Sequence, residues 1–119
     1  DAFRVMHDSL AKHPKIDAVW ASDDDMALGV LEAIRQAKRD DIKFVLGGAG
    51  MKEMVKRVMD GDKLIPADVS YPPAMISTAM GVTAAHFYAN APMRGTYVPN
   101  AELITKENAK EHYHPNSPF

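Results

Sequence analysis

VWASDDDMALGVLEAI, residues 19–34, sets three adjacent aspartates between two apolar runs. The run before them, IDAVWA (16–21), is short and nearly continuous, the mark of a strand covered on both faces. After them Ala27, Val30, Leu31 and Ile34 recur at helical spacing, predicting a helix from Asp24 to about Lys38. A strand that hands over to a helix through a polar turn is half of a β-α-β unit, and the rest of the chain repeats it. IKFVLG (42–47) reads as a second buried strand. Met51, Met54, Val55, Val58 and Met59 then line one helical face, which Asp60-Gly61-Asp62 closes with a glycine suited to the carboxyl end. LIPADVS (64–70) predicts a third strand, in which Pro66 is restricted to an edge, a strand start or a bulge.

Upstream, Phe3, Met6 and Leu10 predict a helix that His13-Pro14 ends. Downstream, Tyr71-Pro72-Pro73 breaks the chain before a helix from about Ala74 to Asn90. The apolar residues of that helix (Ile76, Ala79, Met80, Val82, Ala84, Phe87) spread around most of its circumference, so it expects cover on several sides. A turn near Pro92 to Gly95, a short strand around 102–104 and a loosely held polar tail complete the reading. Strands alternating with helices imply an α/β fold: three αβα layers about a mostly parallel sheet with right-handed crossovers. Ligands of such sheets bind beyond the carboxyl ends of the strands. That singles out Ser22-Asp23, Gly47 to Gly50 and Ser70-Tyr71.

The 119 residues suit one domain, with 46% apolar and 25% charged residues, the balance of a globular chain. A formal net charge of −2 creates no field for nucleic acid. Absent cysteine excludes disulfides and thiol chemistry. No apolar run reaches the ~18 residues of a membrane span, and no signal-peptide pattern stands at Asp1. The first residues already read as helix, so the chain is expected to begin within a larger protein.

Helix capping explains most of the aspartate run. Ser22 or Asp23 can cap, leaving Asp24 and Asp25 solvated in the first turn, where each carboxylate contributes roughly 0.3–1 kcal/mol against the dipole. A functional reading adds that Asp23, at a strand's carboxyl end, offers an acceptor to a ligand hydroxyl. Capping and binding on neighbouring residues are compatible. A divalent-metal cluster needs several converging oxygens, and neither GGAG nor SYPP supplies them. LGGAG (46–50) lacks G-x-G-x-x-G and the P-loop lysine, so it reads as a tight turn where backbone approaches something closely. Tyr71 is either packing at a rigid corner or an aromatic wall suited to the C–H face of a sugar. His112 and His114 read as solvent-exposed, the helical methionines as core, and Trp20 as core. No Ser/His/Asp grouping follows from spacing.

The segment D-D-x-M-A-L-G (23–29), the GGAG loop, DGDKLIPADVSYPP and NAELITKENA resemble, in that order, the carboxyl-terminal part of periplasmic sugar-binding proteins of ABC transporters, the ribose-binding-like group. The resemblance covers nearly the whole chain and favours the transport branch over related repressors. It implies a non-enzymatic, periplasmic solute-binding protein, made with a signal peptide, that captures a sugar or polyol between two hinged lobes and delivers it to a membrane permease. No cofactor, metal or nucleic acid is implied. Asp23 stands where the family places an Asn or Asp that binds sugar hydroxyls. Ala49 stands where it places an Asp, with Gly48 before it, and Tyr71 replaces a Gln near the hinge. These changes imply a less hydroxylated or differently shaped ligand. Residues 1–71 and 100–111 would form a truncated carboxyl-terminal lobe, crossing at Tyr71-Pro72 and Pro99-Asn100, with 72–99 belonging to the other lobe. The uncovered edge and helix would favour a homodimer. The alternatives are the effector-binding domain of a sugar-responsive repressor and, from another class, a metal-dependent α/β enzyme using residues 23–25.

Overall fold

The computed structural model describes residues 1–71, 73–117 and 119. The elements follow in the order α1 (Ala2–Lys12), β1 (Ala18–Trp20), α2 (Asp24–Ala37), β2 (Phe44–Leu46), α3 (Lys52–Asp60), β3 (Ala67–Ser70), α4 (Met75–Ala89), β4 (Glu102–Thr105) and α5 (Ala109–His112). The fold is α/β. Strands β1 and β2 pair in parallel, Val19 opposite Val45. On its other side β2 reaches the segment leading into β3, the Val45 N–H donating to the Leu64 carbonyl at 2.7 Å. Beyond β2, Ala49 bridges Ser70 in parallel. Strand β4 then adds antiparallel to β3, Asp68 opposite Ile104. Strand β3 starts just past Pro66, one of the places a proline is tolerated.

The core lies on one face of this sheet. Met6 and Leu10 of α1, Ala27, Val30 and Ile34 of α2, and Met54, Val55 and Val58 of α3 are buried against Val45 and Ile104. These are the helical faces that the apolar spacing predicts. Helix α3 ends on Gly61 at φ +77°, a left-handed cap that glycine adopts without steric cost.

The opposite face is open, which corrects the expectation that residues 16–21 are covered on both sides. Ala18 is exposed, Trp20 is 76% exposed and Phe44 is 37% exposed. Trp20 is therefore not core. Side chains alternate along a strand, so Val19 and Trp20 face opposite ways, and every helix that packs on the sheet lies on the Val19 side. Helix α4 buries no residue: Ile76, Met80, Phe87 and Tyr88 are 63–91% exposed. The predicted break before it falls partly on Pro72, outside the described residues.

The tail is docked rather than loose. Ala109 is fully buried, Tyr113 packs on the core, and Lys52 Nζ donates to the Ser117 carbonyl at 2.6 Å. Nor is His112 fully exposed; its side chain is 21% exposed and lies 3.4 Å from the Glu102 carboxylate. The apolar side of Ala109 and Tyr113 explains why this short polar-looking helix seats against α3.

Candidate functional site

The carboxyl ends of β1, β2 and β3 converge. Asp23 caps α2, its Oδ1 accepting from the Asp25 N–H at 3.0 Å, and its backbone is extended, as a cap requires. The second Asp23 oxygen makes no hydrogen bond among the described residues, and the side chain is half-buried.

Asp24 behaves differently from its neighbours. It is not solvated but fully buried. Its Oδ1 accepts from the Gly48 N–H at 2.9 Å and its Oδ2 from the Met51 N–H at 2.7 Å, so one carboxylate spans the whole turn from β2 into α3. This explains the glycine at 47: a Cβ there would stand 2.3 Å from Asp24 Oδ1. The predicted close approach of the GGAG backbone is therefore to a carboxylate of the protein itself. Asp68 on β3, also fully buried, comes within hydrogen-bonding reach of Asp24. Burial, and then the neighbouring Asp24 charge, push Asp68 up to about 7. Burial also raises Asp24, against the two backbone N–H groups that favour its ionised form. Sequence reasoning missed this pair. The only available signal was an aspartate at 68 inside an apolar strand pattern.

Tyr71 ends β3 and closes the rim. Its hydroxyl donates to the Ser22 carbonyl. Its N–H donates to the Ala49 carbonyl at 3.3 Å, while the Ala49 N–H donates to Val69. The ring packs against Gly48, where a Cβ would meet Tyr71 Cε1 at 2.7 Å. Burial, then the charge of Asp23, raise the Tyr71 hydroxyl above its ordinary value. Ala49 is buried and holds φ +134°, a conformation that strains an L side chain. Its flank opens on a hollow of about 410 Å³ lined also by Ser70, Pro73, Ile104 and His112.

Asp23, Gly48, Ala49 and Tyr71 thus lie at one end of the sheet, with Tyr71 tied to the residue preceding Asp23. The rim offers one free carboxylate oxygen, one aromatic face and a glycine-rich floor. Asp24 and Asp25 do not converge: one is buried toward Asp68 and the other is exposed. Among the described residues no group of three His, Asp or Glu side chains is placed to hold a metal ion.

Comparison with known proteins gives these residues a setting. Residues 1–90 match a family described as periplasmic binding protein domain. The D-apiose import binding protein of Paraburkholderia graminis is 36% identical over 112 residues, spanning 92% of this chain and 35% of that protein. The ribose import binding protein of Escherichia coli is 31% identical over 103 residues, spanning 87% of this chain and 34% of its own length. Among solved structures, an ABC transporter solute-binding protein from Mycobacterium smegmatis with bound glycerol superposes with a TM-score of 0.83 at 29% identity, covering 97% of this chain and 39% of that one. The Caulobacter myo-inositol binding protein with bound myo-inositol gives 0.76 at 28% identity, covering 92% and 38%. The chain therefore spans about a third of the length of the relatives it matches.

Proposed function

The chain belongs to the periplasmic binding protein domain family, and from that premise we propose that it forms much of one wall of a solute-capture cleft serving ABC-type import. The observation that carries this reading is the convergence of three strand ends on one rim, with Asp23 presenting an unused acceptor beside the Tyr71 ring. Relatives named for D-apiose and ribose, and a neighbour holding myo-inositol, support a sugar or polyol as the solute.

In this reading Asp23 accepts a hydrogen bond from a ligand hydroxyl. The Tyr71 hydroxyl is already engaged with Ser22, so its ring contributes a stacking face. Gly48 and Ala49 form a floor without a charged side chain. The lobe thus takes a ligand with one strongly hydrogen-bonded hydroxyl and an apolar C–H face. Residues 1–71 and 100–111 form this lobe and 72–99 belong to a second one; closure about the hinge encloses the ligand. The exposed helix α4 supports that division, since it buries nothing against the first lobe. The setting is periplasmic, the partner is a membrane permease, and the role is binding rather than catalysis.

The test is calorimetry on the longer protein that contains this chain, with D-apiose, ribose, myo-inositol and glycerol as probes. Binding of one of them is expected, and Asp23→Ala should weaken it by about 1.5–3 kcal/mol, the worth of a charged hydrogen bond. Silence with all four, or equal affinity in the variant, would overturn the reading.

A further inference from the structure

The buried carboxyl pair lies directly beneath the floor of the proposed cleft. Asp24 and Asp68 are both fully buried. No donor reaches Asp68 Oδ2 among the described residues, although it is shielded from water. Two charged carboxylates buried within hydrogen-bonding reach repel one another, and among the described residues no lysine, arginine or histidine side chain pairs with either. One shared proton resolves both problems, since a protonated Asp68 Oδ2 becomes a donor with the Asp24 carboxylate as its acceptor.

The geometry also says which oxygen holds it. Asp24 lies in the first turn of α2 and accepts from Met51, which caps α3, so the positive ends of two helices favour its charge. Asp68 lies within β3 rather than at a helix end; it accepts the Val69 N–H at 2.8 Å, with the Gly50 N–H a weaker influence, so it takes the proton and donates to Asp24. Other groups also face the pair. The charge of Asp23, at the cap of α2, disfavours a second negative charge, while Tyr71 at the end of β3 is a phenol whose hydroxyl is raised by burial and by the surrounding carboxylates. From β4 the residue opposite Asp68 is Ile104, and from α3 Met54 approaches Asp24; neither titrates.

We infer that Asp68 is a positioning residue: held protonated, it fixes the Asp24 carboxylate, which in turn holds residues 48–51 in place through the Gly48 and Met51 N–H groups. Loss of the proton forces two charges together and drives Asp24 away from the turn. That the turn lines a ligand cleft rests on the function proposed above; its dependence on the shared proton does not.

The test therefore needs no ligand. Backbone amide resonances of Gly48 and Met51 are followed by NMR in the 119-residue chain between pH 5 and 9, for the native protein and for Asp68→Asn. An Asn amide can donate to Asp24 as the protonated acid does but cannot titrate. Both amides are expected to move together through one transition near neutral pH in the native chain. In Asp68→Asn they should stay at the native low-pH positions throughout. Amides that do not titrate in the native chain, or a transition that survives in a folded Asp68→Asn, would overturn the inference. Should Asp68→Asn not fold, the native titration decides alone. Failure here leaves the calorimetric test untouched, and the reverse also holds.

Discussion

Asp68 ties this fold to the proton concentration around it. In an unfolded chain its carboxyl titrates near ~3.9. In the folded chain burial and the Asp24 charge push it up to about 7. Between those values the folded state binds more protons than the unfolded one, so stability falls as pH rises. The contribution is complete below about pH 4 and is gone once pH passes the folded value. Asp68→Asn lacks this dependence. Between pH 5 and 8 the unfolding free energy of the native chain should therefore drop by about 3 kcal/mol relative to Asp68→Asn. Urea unfolding of both proteins at several pH values checks this, and parallel profiles would contradict it. Asp23 could be read as a cap from its neighbours alone, because capping is decided within three residues. Asp24 could not. Its partners lie 24 and 27 positions away at Gly48 and Met51, and Asp68 is further still. A run of three aspartates gives no sign of which one turns inward. The glycine at 47 was legible as a close approach, but what approaches it was not.

At the scale of elements, the departure of α1 toward β1 depends on one guanidinium. Arg39, in the connection after α2, grips Asp41 through Nε and an Nη, both at 2.6 Å. Its remaining N–H groups reach the Leu10 carbonyl at 2.9 Å and the Pro14 carbonyl at 3.0 Å. Asp41 in turn accepts from the Ile16 N–H at 2.7 Å, and Arg39 holds the Asp41 carboxyl well below the usual carboxylate range. The arrangement satisfies carbonyls at the end of α1 and fixes the entry to β1. Lysine keeps the charge but lacks the planar fork. Arg39→Lys should lower the thermal midpoint and speed hydrogen exchange at the Ile16 amide; unchanged exchange there would show that the clamp is not what orders this link. Sequence periodicity located each of the four long helices to within about a residue, because each buries an apolar stripe or is apolar throughout. It misjudged the strands' surroundings. A three-residue strand carries too few positions to distinguish one covered face from two, so Trp20 read as core. The tail misled for a related reason: among its described residues Ala109 and Tyr113 carry its packing on the core, and a pattern of two is invisible among its charges.

Taken whole, the molecule is 57 Å long by 30 Å and 22 Å, drawn out along one axis. Two apolar surfaces remain open: the sheet face bearing Trp20, Phe44 and Leu103, and the whole circumference of α4. Helix α4 alone has an apolar groove formed by Ile76, Met80, Phe87 and Tyr88 among others. Monomers rarely expose large contiguous apolar patches, and a helix apolar all round expects burial. The relatives are about three times longer than this chain, so in a protein of that length further sequence would be available to cover both surfaces. The 119-residue chain by itself has only its own copies for that purpose, and its expected state is a homodimer. Light scattering at micromolar concentration should give twice the monomer mass. Met80 and Phe87, seven positions apart and so on one side of α4, are the places to test it. Neither is buried, so Met80→Glu with Phe87→Glu leaves the core intact while placing charge in the contact. The double variant should run as a monomer with an unchanged thermal midpoint for the rest of the fold. If the native chain is already a stable monomer, self-association is refuted. If the variant still dimerises, α4 is excluded as the contact, and the Trp20 face must be the one that pairs.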